Sequence, residues 1–472
     1  MYNGKRKRMK NKGRWSVGIL SIMLLLSLGA CSADKSPYGP EDLSTNEGTE
    51  ASGEMEANGG TEASGGTELN GDVPTGAGDI IQNTEGQFHS TVSVTLDDIS
   101  LDDCPDYVFP TGEGQLLLVG DGLTLLDCNT LEMVKKNRNL GLDFDLRDLS
   151  SCKLTVLEEE YILLGNWLDM GEAEALGNGT FMSVSSKLPE LKMIRIGKDL
   201  QIMEVINMNE VLGTERNISA FVLVEQGRKL VFAEDYNGLY VYDRNTGKRS
   251  ECIGFYHSLK GTKDGGIGSV YSIQYAEAAN QILFTGTYYD SKEKEYLNTV
   301  GKVNMDGSGL SYEKGGVNDY GALWYFNGSV LIEDMEFRGP GGVGTAFCYD
   351  RDKELHIYSL ADEYTGLQPS EEGNYFAVQS VDWSVDGMNI GYTVRIYALK
   401  SGQLVQESSL PRTEIGEDTV LSKVVICEDT GRILMFLHDR GSVDNAHIKV
   451  VNLNIDSSRS FSFRSFSSMG LV

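Results

Sequence analysis

Residues 220–254, AFVLVEQGRKLVFAEDYNGLYVYDRNTGKRSECIG, carry four short apolar runs separated by turn residues. Runs of this length, bounded by Gly, Asn and Asp, predict a meander of four antiparallel strands. Gly227 and Gly247 fall where tight turns require positive backbone angles. The first strand pair recurs along the chain, its second run centring near Leu117, Ile162, Val231, Leu283, Leu331, Phe376 and Leu434, a mean spacing of about 53 residues. The later pair recurs as well, centred near Leu125, Ile196, Val241, Val303, Ile357, Ile396 and Val450.

A strand-built period near 50, with no helical pattern of convincing length, predicts an all-β chain and within that class a β-propeller. One meander exposes two apolar faces, and only a ring of them buries both. The two series predict seven four-stranded blades. Six or eight also fit, because no clear first strand precedes EEGNYFAVQS, which begins at Glu371. Closure is expected from a strand at HSTVSVTL (His89 to Leu96) pairing beside SRSFSFRSF (residues 458–466), so that no edge is left open.

The stretch LYVYDRNTGK (residues 239–248) resembles the turn motif of bacterial propellers of the quinoprotein and YVTN types, loosely over residues 88–472. The resemblance implies that Asp243 and Thr246–Gly247 shape the turn between outer strands. Asp243, Arg244 and Lys248 then belong to a folding device, with Asx-type turn bonds for Asp243. The tryptophan that quinoprotein repeats place after the Gly is absent from Lys248 to Cys252, so no quinone or other cofactor is implied.

The amino-terminal pattern is of another kind. The first 14 residues hold seven bases and no acid, and the next 16, WSVGILSIMLLLSLGA, hold no charge. Basic, apolar, then small is the order of a secretion signal, and the run is short for a membrane span. Its end, Leu28-Gly29-Ala30-Cys31, resembles the lipobox of bacterial lipoproteins. That resemblance implies cleavage before Cys31, a diacylglyceryl group on its sulfur, and a protein tethered to the extracytoplasmic side of the membrane. From Ser32 to Gln87 the chain is Gly, Ser, Thr, Asn and Glu with GTEASG twice, a composition that cannot offset its ordering entropy. The expected organisation is therefore a signal peptide (1–30), a lipidated Cys31 with a disordered acidic linker (31–87) and a propeller domain (88–472).

Composition narrows the function. From Phe88 onward 57 acids stand against 33 bases, a net charge of −24. So acidic a domain is repelled by nucleic acid and anionic lipid, and nucleic-acid binding is not expected. Cys104, Cys128, Cys152, Cys252, Cys348 and Cys427 show no C-x-x-C spacing, and His89, His257, His356, His438 and His447 no ligand pattern, so no metal is expected. Disulfides are permitted outside the cell. No G-x-S-x-G elbow is present. Asp143, Asp145 and Asp148 lack the Gly and Glu of a calcium loop, and SVDGMN lacks the later positions of a sialidase Asp-box.

Antiparallel pairing puts the turns between first and second and between third and fourth strands at one end of every blade. Those turns are tight. The long pieces, residues 165–192, 254–268, 286–298 and 333–353, belong to the other end, which carries Trp167, Asp169, Tyr256, His257, Tyr288, Tyr289, Glu336, Arg338, Trp383 and His438. Aromatic rings with acids on a rigid ring suit binding of a protein or glycan partner by a non-catalytic monomer. A polysaccharide-acting enzyme and an envelope-assembly scaffold are the alternative readings.

Overall fold

The computed structural model describes residues 97–453 apart from 103, 113, 169–173, 177–179, 183–187, 256–264, 313–319, 327–328, 335–343, 350–354, 361–363, 385–387 and 441–445. Cys31, the linker, His89–Leu96 and residues 458–466 lie outside the described residues.

The chain folds as a β-propeller of four-stranded antiparallel sheets. In chain order these are sheet 1 (residues 107–137), sheet 2 (149–207), sheet 3 (218–254), sheet 4 (266–312), sheet 5 (320–360), sheet 6 (364–411) and sheet 7 (419–452 with 97–101). A two-stranded hairpin, Glu174–Leu176 with Thr180–Met182, is inserted between the second and third strands of sheet 2. First strands lie against one another where sheets 2 and 3, 3 and 4, 4 and 5, and 6 and 7 meet.

The seams explain the repeat, because each apolar sheet face is buried by the next sheet. Leu117 and Leu123 meet Tyr161 and Leu163 between sheets 1 and 2. Ile162 and Met193 meet Phe221 and Phe232 between sheets 2 and 3, and Val231 and Val241 meet Ile273 and Phe284 between sheets 3 and 4. Ile332 with Leu283, Leu331 with Phe376, and Ile396 with Val424 mark the following seams. Leu434 and Phe436 of sheet 7 then pack on Leu116 and Leu126 of sheet 1. Phe232, Phe284, Phe376 and Phe436 are fully buried, each contributing about 2–3 kcal/mol. All four stand on second strands, which is why that series was the more legible of the two.

Three expectations need correction. Closure runs through Asp97–Leu101, which pairs antiparallel with Ala446–Val450. The later pair of sheet 5 does include Ile357, on the fourth strand, but it begins earlier than the expected loop allows. The third strand is Gly344–Tyr349, inside a stretch expected to be loop. Residues 286–298 are likewise no irregular loop: Gln281–Asp290 and Glu295–Asn304 form one long hairpin, with Asp290 Oδ1 accepting from the Lys292 amide at 2.7 Å. The first strand of sheet 6 is Tyr364–Pro369, which supplies the element missing before EEGNYFAVQS.

The turns behave as the residue types dictate. Asp243 Oδ1 accepts from the amides of Asn245 and Thr246, both at 3.0 Å, while Asp243 Oδ2 takes Arg228 Nη2 at 2.9 Å. Gly227 and Gly247 have φ of 75° and 67°. Asp127 repeats the device in sheet 1, accepting from Asn129 and Thr130 at 2.8 and 2.7 Å. The Arg228 hydrogen bond, outweighing slight burial, holds the Asp243 carboxyl below its usual range. The stability it adds is therefore present above the ordinary carboxylate range and is lost as pH falls through the lowered value. Asp243→Ala should lower the Tm by about 2 °C at pH 7 and by less under acid, and Asp243→Asn should recover part of the loss, as scanning calorimetry would read. An unchanged Tm would show that the turn needs no side-chain acceptor.

Candidate functional site

Trp167, Tyr288, Tyr289, Trp383 and His438 all close the second strands of their sheets, in sheets 2, 4, 4, 6 and 7, and so face the end expected for them. Their environments differ sharply. Trp167 is half-buried between Phe144, at 5.7 Å between centroids, and Lys192, whose Nζ sits 5.0 Å from the ring. Tyr288 is 4% exposed and packs on Tyr312 at 5.2 Å. Both rings hold their own sheets together. His438 Nδ1 lies 3.0 Å from the Asp439 carbonyl oxygen. Asp169, Tyr256, His257, Glu336 and Arg338 lie outside the described residues.

The Tyr289 ring meets that of Tyr296 at 5.0 Å between centroids and a tilt of 58°, and Tyr296 is 54% exposed on the same hairpin. A methyl group on Gly268 would stand 2.6 Å from that ring, so glycine there lets Tyr296 lie on the first strand. The other exposed site is sharper. Trp383 is 55% exposed, and Met388 and Ile390, on the facing side of the same hairpin in sheet 6, are 64% and 48% exposed. Solvent sees three large apolar side chains on one hairpin, whereas Trp167 and Tyr288 turn inward. The aromatic type of Trp383 was visible in the sequence; Met388 and Ile390 were missed, because only strand pairing, with Trp383 opposite Asn389, brings them onto the same hairpin.

The first strands carry chemistry that the sequence reading passed over. In six sheets they are bulged against their partners, at Ser150/Lys153, Ile218/Ala220, Ile267/Ser269, Tyr320/Leu323, Tyr364/Gly366 and Leu421/Lys423. A bulge re-aims the side chain that follows it. Lys153 Nζ reaches from sheet 2 past sheet 3 to the Ile273 carbonyl of sheet 4, at 2.7 Å. Burial lowers its pKa to about 8. Lys423 Nζ stands 5.6 Å from the centre of the Tyr107 ring. Its pKa is also lowered by burial, with Asp106 opposing.

A second electrostatic knot is buried in sheet 3. Glu234 is 1% exposed, with Arg249 Nη2 at 2.8 Å, and that guanidinium lies 3.8 Å over the Tyr240 ring. Burial raises the Glu234 pKa, but Arg249, Thr214 and Asn237 outweigh it and the carboxyl ends below its usual value. At the tight-turn end, burial and then the mutual repulsion of Glu371, Glu372, Glu428 and Asp429 raise Glu371 and Glu372. An open hollow of about 240 Å³ lies at that end between Thr155, Val224, Glu225 and Tyr275. It is smaller than the usual ligand pocket of roughly 300–1,000 Å³. Among the described residues no group of three or more His, Cys, Asp and Glu could hold a metal ion, and no helix is long and apolar enough to cross a membrane. Asp145 caps a single 3₁₀ turn by accepting from the Arg147 amide at 3.0 Å.

No family model and no curated protein matches the sequence. Among solved structures, the chain is similar to the β-propeller domain of Myceliophteria thermophila Cps50 (Swd1), at 10% identity and a TM-score of 0.44 over 76% of this chain and 100% of that one. It is similar also to Chaetomium thermophilum Raptor, at 10% identity and a TM-score of 0.46 over 76% of this chain and 29% of that one. Likeness at this level concerns the fold alone.

Proposed function

We propose that the protein is a lipid-anchored, extracytoplasmic lipoprotein whose seven-bladed propeller binds a protein partner without catalysis. The observation that carries the binding reading is the exposure of three large apolar side chains, Trp383, Met388 and Ile390, on one hairpin of sheet 6. Met388 and Ile390 favour a protein over a glycan, because they add contact area to Trp383 without the polar groups that sugar hydroxyls need, and Trp and Met are enriched at protein interfaces. The anchor rests on the Leu28–Cys31 pattern and the basic, apolar segment before it.

The test is cross-linking in living cells followed by capture of the full chain. The paired substitution Trp383→Ala with Met388→Ser should reduce the captured partner by about tenfold while leaving the Tm within about 1 °C. Unchanged capture would move the binding surface elsewhere. Trp167→Ala is the wrong probe, since loss of its packing against Phe144 lowers stability. In a separate arm, Cys31→Ser should release the chain from the membrane fraction and abolish palmitate labelling. Labelling that persists in the variant would refute the anchor.

A further inference from the structure

The sulfurs of Cys128 and Cys427 lie 2.9 Å apart, inside van der Waals contact and about 0.9 Å beyond a disulfide bond length. Cys128 is in the turn between the third and fourth strands of sheet 1, and Cys427 ends the first strand of sheet 7. Both are buried, at 2% and 9% exposure, among Leu116, Leu126, Leu434 and Phe436. Neither backbone is free to drift. The Cys128 amide donates to the Gly114 carbonyl at 2.8 Å, its carbonyl accepts from Arg432 Nη1 at 2.8 Å, and Cys427 is held in the ladder opposite Arg432. The other described cysteines face different partners: Cys104 meets Ser422 Oγ at 3.5 Å and Cys252 the Met305 carbonyl at 3.3 Å.

We propose that Cys128 and Cys427 are an oxidation site whose disulfide locks sheet 7 to sheet 1 and turns a ring held by strand pairing into a covalently closed one. The seam is where a bond matters most. Residues 102–106 join sheet 1 only to Asp97–Leu101, which strand pairing alone ties to the rest of sheet 7, whereas this bond links residues 299 apart in sequence. Cross-linking so long a loop removes more freedom from the unfolded chain than any local bridge.

The oxidant is a small disulfide such as oxidised glutathione. The thiolate of one cysteine attacks a glutathione sulfur, forming a mixed disulfide and releasing one glutathione thiolate. The second cysteine thiolate then displaces the other glutathione. Two thiol protons pass to the two released thiolates, so one glutathione disulfide is reduced for each protein disulfide formed. The contact with Cys128, then burial, raises the Cys427 pKa well above that of an ordinary thiol. Exchange is therefore slow in the closed ring and proceeds when the seam opens.

The experiment uses the full chain. Reduced protein is incubated with oxidised glutathione at about pH 8.5, a few degrees below its Tm. It is quenched in acid, alkylated in denaturant without reductant and mapped by peptide mass. The expected product is the Cys128–Cys427 linked peptide, with Cys104, Cys152 and Cys252 alkylated. Its Tm should exceed that of the reduced protein by about 5 °C. The gain should vanish on adding reductant and be absent from a Cys128→Ala, Cys427→Ala variant. Full alkylation of both cysteines after incubation, or a dominant link to any other cysteine, overturns the proposal. So does a linked product that melts no higher than the reduced chain.

Discussion

A chain shortened to begin at Cys104, lacking Asp97–Leu101, is expected to lose its sharp melting transition, or to melt more than about 10 °C lower, and to elute as aggregates. Those five residues form the outer strand of sheet 7, in register from Asp97 opposite Val450 to Leu101 opposite Ala446. Leu101 is 4% exposed in the seam cluster with Leu116, Phe436 and Ile448, and Ile99 packs against the same group. Losing that burial costs about 2–3 kcal/mol for Leu101, and each ladder hydrogen bond adds about 1 kcal/mol. The total is about 5 kcal/mol, a large share of a typical domain's stability. The truncation also bares the outer edge of Ala446–Val450, leaving that edge's backbone groups unpaired. A peptide spanning residues 97–102 should restore part of the transition by adding itself as a strand, which a scrambled peptide should not. A truncated chain that melts within about 2 °C of the parent would show that the ring is closed elsewhere.

The closing strand also marks where sequence reading stops. HSTVSVTL alternates more regularly than DDISL, so periodicity pointed to His89–Leu96. The strand in the structure takes its place from what it packs on: Leu101 and Ile99 insert into a cluster assembled from sheets 1 and 7, which no local pattern displays. Second strands were legible because both of their faces are buried and they read as continuous apolar runs, as in LLLV and ILMFL. First strands were less so, since bulges break their alternation and bring in Lys153, Gly366 and Lys423. A methyl group at position 366 would stand 2.6 Å from the end of the Gln379 side chain, which would have to move aside. The third strand of sheet 5, GTAFCY, begins with Gly and Thr, so it read as part of the loop over residues 333–353. At the loop end, residue type picked out Trp167, Tyr288 and Trp383 alike. Only packing separates the two that brace their sheets from the one that faces solvent.

Lys153→Met should raise the Tm at pH 7 by about 2–4 °C, and the advantage should shrink and reverse as pH rises. The ammonium is enclosed among first strands, with the Ile273 carbonyl at 2.7 Å and, among the described residues, no carboxylate within ion-pair distance. Burial drops its pKa from 10.5 to about 8. Between those values the unfolded chain holds the proton and the folded chain does not, so the parent gains stability as pH rises through the window. Below it the folded chain carries a charge it would sooner lose, at a cost of up to about 3 kcal/mol. Methionine keeps the length and most of the volume of the lysine stem without that charge, but leaves the Ile273 carbonyl without its donor, which costs about 1–2 kcal/mol at every pH. The net is a gain of about 1–2 kcal/mol at pH 7 and a loss of similar size above pH 10. Burial also raises Cys152 to about 12 and Cys252 to about 11, so alkaline pH weakens both proteins through those thiols. The difference between variant and parent cancels that shared trend. A difference in Tm that stays flat from pH 6 to 10 would mean that the bulge at Ser150/Lys153 leaves the ammonium in contact with solvent.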